Sequence, residues 1–208
     1  QNMTLMLQPQ AWSAYFAEQN GMLLQFQEPT LWPRYLHFVT ASVAIGGLFS
    51  ALVWWFRNRR HRHSKAAGFI SRGLLIFAVA TIVQMAVGVW FLLSLPEGFM
   101  FEFMGRNLFY TIILTTGILL ALGAVASAFR RKLWLTIAHL FAVIVMMVIT
   151  RANLRDLYLR PYFERQALEV TPQPVSLILF LVVFVIGLAS VGVLLYLANA
   201  AAKRRVSA

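Results

Sequence analysis

Long apolar runs, broken at intervals by short polar or basic stretches, dominate the chain of 208 residues. The runs have neither the two-residue alternation of a half-buried strand nor the polar face of a soluble amphipathic helix. Five are long enough to cross a bilayer, which takes about 20 residues for a hydrocarbon core of ~30 Å. They fall near 34–56, 73–95, 103–129, 133–150 and 175–198. The fold class expected is therefore all-α, a polytopic membrane bundle of five transmembrane helices. Residues 1–33 read as an external amphipathic segment, in which Leu5, Leu7, Trp12, Tyr15 and Phe16 are interspersed with Gln, Asn and Glu. Pro29 and Pro33 punctuate its entry into the first span. Residues 151–174 read as the longer external loop, and 199–208 as a basic cytoplasmic tail.

Composition agrees with a bilayer environment: 60% of residues are apolar and only 12% charged. Soluble domains are nearer half apolar and a quarter charged. The net charge of +11 could suggest nucleic acid as a partner, but its distribution says otherwise. Twelve of the Lys/Arg residues lie in three clusters after the first, third and fifth spans, on a side with no acidic residue. All seven acidic residues lie on the other side, so positive-inside bias puts the N-terminus outside and the C-terminus in the cytoplasm. Contact with anionic lipid is secondary to this topology signal. The expected location is a bacterial inner membrane. The chain opens Gln1-Asn2-Met3 with no signal-like segment, so either a removed signal or, the favoured expectation, further helices upstream or in a partner subunit deliver residues 1–33 outside.

The absence of cysteine excludes disulfides, thiolate metal sites, covalently attached c-type haem and cysteine-ligated iron–sulfur clusters. No glycine-rich phosphate loop, paired-carboxylate site or Ser/His/Asp arrangement appears, and no catalytic residue is assigned. Chemistry inside the membrane then rests on few side chains, because ionisable groups there are costly and usually functional.

Two histidines lie in spans, His37 and His139; His61 and His63 belong to the basic loop. His37 stands about one turn into the first span, above Ala41, Ala44 and Ala51. Imidazole is a common axial ligand of haem iron, and a stripe of small residues lets a flat macrocycle lie against a helix. Ordinary helix packing is the competing explanation, with Ser42, Gly46 and Ser50 forming a small-residue row of their own. From the span boundaries His37 lies ~5 Å and His139 ~17 Å below the outer surface, so the two cannot share an iron. His139 reads better as a hydrogen-bonded interhelix residue than as the ligand of a second haem. Methionine is the other plausible axial donor, and Met100, Met104, Met146 and Met147 lie at the depth of His37. Arg34, Arg106, Arg151 and Arg155 gather on the same external side and would suit haem carboxylates. Gln84, midway along the second span, is most simply an interhelix hydrogen bond.

Residues 29–55, with Pro33-Arg34-Tyr35-Leu36-His37 and the Ala41-Ser42 pair, resemble the histidine helix of the large subunit of cytochrome bd-type quinol oxidases. Phe101-Glu-Phe-Met104 resembles the methionine segment that enters that family's seventh helix, and 4–12 and 170–174 resemble flanking stretches. The resemblance covers the C-terminal five helices of that subunit and implies a low-spin haem b held by His37 and Met104. The chain departs from the family in a short second-to-third connection and in lacking the signature glutamate near Thr150. It therefore implies a single outward-facing b haem and no oxygen reduction by this chain alone. The implied role is electron transfer between membrane quinone and an outward partner such as a c-type cytochrome, within a complex of other membrane subunits. A haem-free anchor or scaffold is the alternative. A transporter is disfavoured, since the spans hold neither paired ionisable residues nor inverted repeats.

Overall fold

In lipid no water is available to the backbone, so each apolar run must close its own hydrogen bonds, and the helix does so within one segment. The computed structural model describes residues 7, 9, 26–61, 65–162 and 174–206, and every regular element among them is helical. These are α1 (Leu31–His61), α2 (Ala66–Leu93), a short α3 (Glu97–Phe101), a π-helical turn (Glu102–Arg106), α4 (Leu108–Phe129), α5 (Leu133–Leu159) and α6 (Pro174–Val206). Five of them are long and apolar enough to cross a membrane. Of the external segment expected over 1–33, residues 1–6, 8 and 10–25 lie outside the described residues, as do 163–173 of the loop before α6.

The chain divides into two units, Gln1–Arg165 and Gln166–Ala208. The second contains α6. Its opening Pro174 suits a helix start, where the missing N–H has no intrahelical acceptor to lose. Its helix continues through 199–206, part of the tail expected to follow the span.

In the first unit α1 runs along α2, α5 along α4, and α2 packs on α4. The α1–α2 contact is set by small residues. A Cβ built on Gly73 would stand 2.6 Å from the carbonyl oxygen of Gly47, and one on Gly47 2.8 Å from that of Gly73. Only hydrogen fits at either position, which is the usual means of bringing two membrane helices close. Ala44, Leu48 and Ala51 of α1 are buried here with Leu74, Phe77 and Ala78 of α2, and Ala124, Val125 and Ala128 of α4 complete the cluster. The packing face is therefore Ala44/Gly47/Leu48/Ala51. Ser42, Gly46 and Ser50 are exposed, and nothing lies within 4 Å of a Cβ on Gly46.

The turn from α4 to α5 is tight. Arg131 adopts φ 56, with Arg131 N–H donating to the Ala128 carbonyl at 2.9 Å and Lys132 N–H to that of Ser127 at 3.0 Å. This pair of bonds is the Schellman ending of a helix. Below it Ser127 and Thr136 share a buried hydroxyl hydrogen bond of 3.0 Å.

Besides α1, which runs from Leu31 to His61, and the continuation of α6, three boundaries differ from the sequence expectation. α2 begins at Ala66, since basic side chains flanking a span reach outward to the headgroups while their backbone stays helical. α4 begins at Leu108, because the chain kinks at Met104 (φ −100, ψ 25) and Gly105 (φ 123). The latter angle favours glycine, and Asn107 then caps α4 by accepting from the N–H groups of Phe109 and Tyr110. α5 continues past Thr150 to Leu159, because Leu154 and Leu157 of the mixed-charge stretch are buried with Leu95, Phe103 and Tyr110.

Candidate functional site

The helices order the charges into two ends. Glu28, Glu97, Glu102 and Asp156 lie at one, and Arg57, Arg59, Lys65, Arg130, Arg131 and Lys132 at the other. His37 belongs to the acidic end and His139 to the basic end, as the depth argument requires.

His37 is half-buried on the α2-facing side of α1. Its Nε2 lies 3.0 Å from Nε2 of Gln84, which is the interhelix hydrogen bond expected of that glutamine, with its partner now identified. A carboxamide nitrogen can only donate, so with the amide placed this way Nε2 of His37 accepts. One turn further along α2, a Cβ on Gly88 would stand 3.9 Å from Cε1 of His37. Gln84 and Gly88 share one helix face, four residues apart: one grips the imidazole and the other leaves its edge uncovered. Towards the helix start, the Arg34 guanidinium lies over the Phe91 ring at 5.4 Å. Arg34 also interacts electrostatically with Glu28, Arg151 and Tyr158, so α5 contributes to the same end. The Tyr158 ring meets Phe99 edge-on at 4.7 Å.

Of the four arginines singled out from sequence, the fold brings Arg34 and Arg151 together. Arg106 pairs within its own turn with Glu102 at 3.6 Å, and Arg155 is exposed on α5. Met104 sits in the kinked turn with its side chain 55% exposed. Met100 packs at the acidic-end cluster of Leu95, Phe103 and Tyr110. Met146 and Met147 flank Gly117 of α4, with Cβ of the former and Cε of the latter at 3.5 and 3.6 Å from a Cβ built there.

His139 stands apart. Its Nδ1 is 2.8 Å from the carbonyl oxygen of Leu135, and its ring lies against Gly123, where a Cβ would come within 2.7 Å of Nε2. Its ring contact crosses to α4, while its hydrogen bond stays within α5 and does not link the two helices.

Sequence reasoning had overlooked Gly88, Tyr158 and Asn153. The amide nitrogen of Asn153 is buried without a hydrogen-bond partner among the described residues. The four-residue spacing from Gln84 could have flagged Gly88; nothing local could have flagged the other two.

Does the site suit a haem? The donor chemistry does. The Nε2 lone pair of His37 is the one an iron would take, and Gly88 leaves the ring edge open. The alanine stripe does not serve as a slot, since Ala44 and Ala51 are buried against α2 and α4. Comparison with protein families, curated proteins and solved structures returns no match.

Proposed function

We propose that this chain is a bd-like b-type cytochrome subunit of a respiratory membrane complex, with His37 as an axial ligand of a low-spin haem b. The observation that supports it best is an imidazole held on the inner face of an apolar span, its Nε2 engaged by a side chain of the neighbouring helix. When bound, haem supplies one-electron transfer; the chain's residues orient it and keep water away. His37 would give its Nε2 lone pair once the Gln84 carboxamide turns aside. Met104, in its kinked turn, is the proposed second donor, and a methionine there would raise the potential relative to a second imidazole. Arg34 and Arg151 would meet carboxylates, while Phe91 and Tyr158 keep that end of the helices apolar beneath them.

Electrons would pass between membrane quinone and an outward-facing partner such as a c-type cytochrome, with other membrane subunits completing the complex. The acidic end faces outward in this reading, and the membrane is a bacterial inner membrane. A second reading, a haem-free anchor for partner subunits, is favoured by the same hydrogen bond: Gln84 already uses the His37 lone pair. An optical spectrum of the purified protein separates them. A sharp α-band on reduction supports the cytochrome, and a spectrum with no such band in protein supplied with haem supports the anchor.

A further inference from the structure

At the basic end, where α1, α2 and α5 meet, lies a cleft of about 610 Å³. Its lining includes Trp55, Ile70, Ser71, Arg131, Lys132 and Trp134. The volume is in the range of small-molecule sites, and the lining divides by chemistry. Trp55 and Trp134 meet edge-on at 5.0 Å and with Ile70 form an apolar wall. The polar lining is Ser71, Arg131 and Lys132, one hydroxyl and two cations. Among the described residues neither cation forms an ion pair, and the sequence holds no acidic residue between Glu28 and Glu97 or between Glu102 and Asp156.

Arg131 carries a second, independent indication. Its φ of 56 is the left-handed conformation that closes the Schellman turn, a position ordinarily taken by glycine. An arginine takes that place here, and it lines the cleft. Lys132 then opens α5 without a side-chain cap, so the first-turn N–H groups of the lining residues Leu133, Trp134 and Leu135 add partial positive charge.

We infer that this cleft binds the phosphate of an anionic phospholipid, with Arg131 and Lys132 on the headgroup and the Trp55–Trp134 wall against its glycerol and upper acyl chain. The phosphate chemistry alone would admit a soluble phosphate too. The apolar wall, and the position of the cleft where three spans end, favour the lipid. The proposal does not depend on haem.

Native mass spectrometry of the full chain tests it, after detergent exchange with phosphatidylglycerol or phosphatidylcholine at equal concentration. Phosphatidylglycerol should be retained in preference. Arg131→Gly should lower that retention roughly fivefold, as should Lys132→Gln, from the usual contribution of one basic residue at an anionic surface. The glycine variant accepts the turn conformation without conflict, so loss of retention there cannot be loss of fold. Arg57→Gln should change nothing, since Arg57 lies over Trp54 and does not line the cleft. Equal retention of the two lipids, or unaltered retention in Arg131→Gly, overturns the proposal. Displacement of phosphatidylglycerol by millimolar inorganic phosphate also overturns it and assigns the cleft to a soluble anion.

Discussion

The amide nitrogen of Gln84 and Nε2 of His37 lie 3.0 Å apart across α1 and α2. This bond satisfies two polar side chains inside an apolar pair of helices. Without its partner, Nε2 would be left with an unmet lone pair in a medium that offers no water.

Gln84→Leu removes the donor and leaves that nitrogen unpaired. Interhelical hydrogen bonds of this kind contribute about 0.6 kcal/mol on average and up to ~1.7. A loss of stability in that range is expected in a denaturant titration of the detergent-solubilised protein. In haem-loaded protein the same substitution should leave the low-spin spectrum in place, because Gln84 must leave Nε2 before iron binds there.

The Gly47–Gly73 crossing predicts a sharp positional contrast. Gly73→Val drives methyl groups into the α1 backbone and should cost on the order of 1–3 kcal/mol or more by overpacking. Gly46→Ala, one residue from the contact and facing open space, should be neutral in the same titration. Equal effects at both positions would mean that α1 presents a different face to α2.

At the basic end, Gly123→Ala should destabilise α4 against α5, because its methyl would meet the His139 ring. His139→Ala should relieve most of that cost, giving a coupling of about 0.5–3 kcal/mol in a double-mutant cycle. His139→Ala alone should leave any haem spectrum unchanged. Its loss would move the haem to the other end of the spans.

Much of the fold was legible because apolar length alone identifies a span. What the hydropathy pattern could not give was rotation and register. Successive residues on a helix point about 100° apart, so Ser42/Gly46/Ser50 and Ala44/Gly47/Leu48/Ala51 are equally plausible stripes until a partner is placed against one. His37 and Gln84 were each visible as polar residues in apolar helices, but their pairing needs the register of α1 on α2. The extension of α5 to Leu159 was hidden for a related reason. Charged residues lowered the mean hydropathy of 151–160 while Leu154 and Leu157, three residues apart, kept an apolar edge. The kink at Met104 and Gly105 left no periodic signal at all.

Orientation is predicted by charge alone. Alkaline phosphatase fused after Glu164 should be active and after Lys65 inactive, since every acidic residue lies on the first side and twelve basic residues on the second. The opposite pattern would put His37 and Arg34 at the cytoplasmic face and remove the outward electron partner.

Haem ligation by His37 is decided by the reduced-minus-oxidised spectrum of purified His37→Ala beside that of the unaltered protein. With His37 as ligand, the unaltered protein shows a sharp b-type α-band and His37→Ala loses it, with circular dichroism showing the helices retained. Met104→His should keep the band and lower its midpoint potential, since methionine ligation favours the reduced iron relative to a second imidazole. An unchanged band in His37→Ala would contradict that ligation.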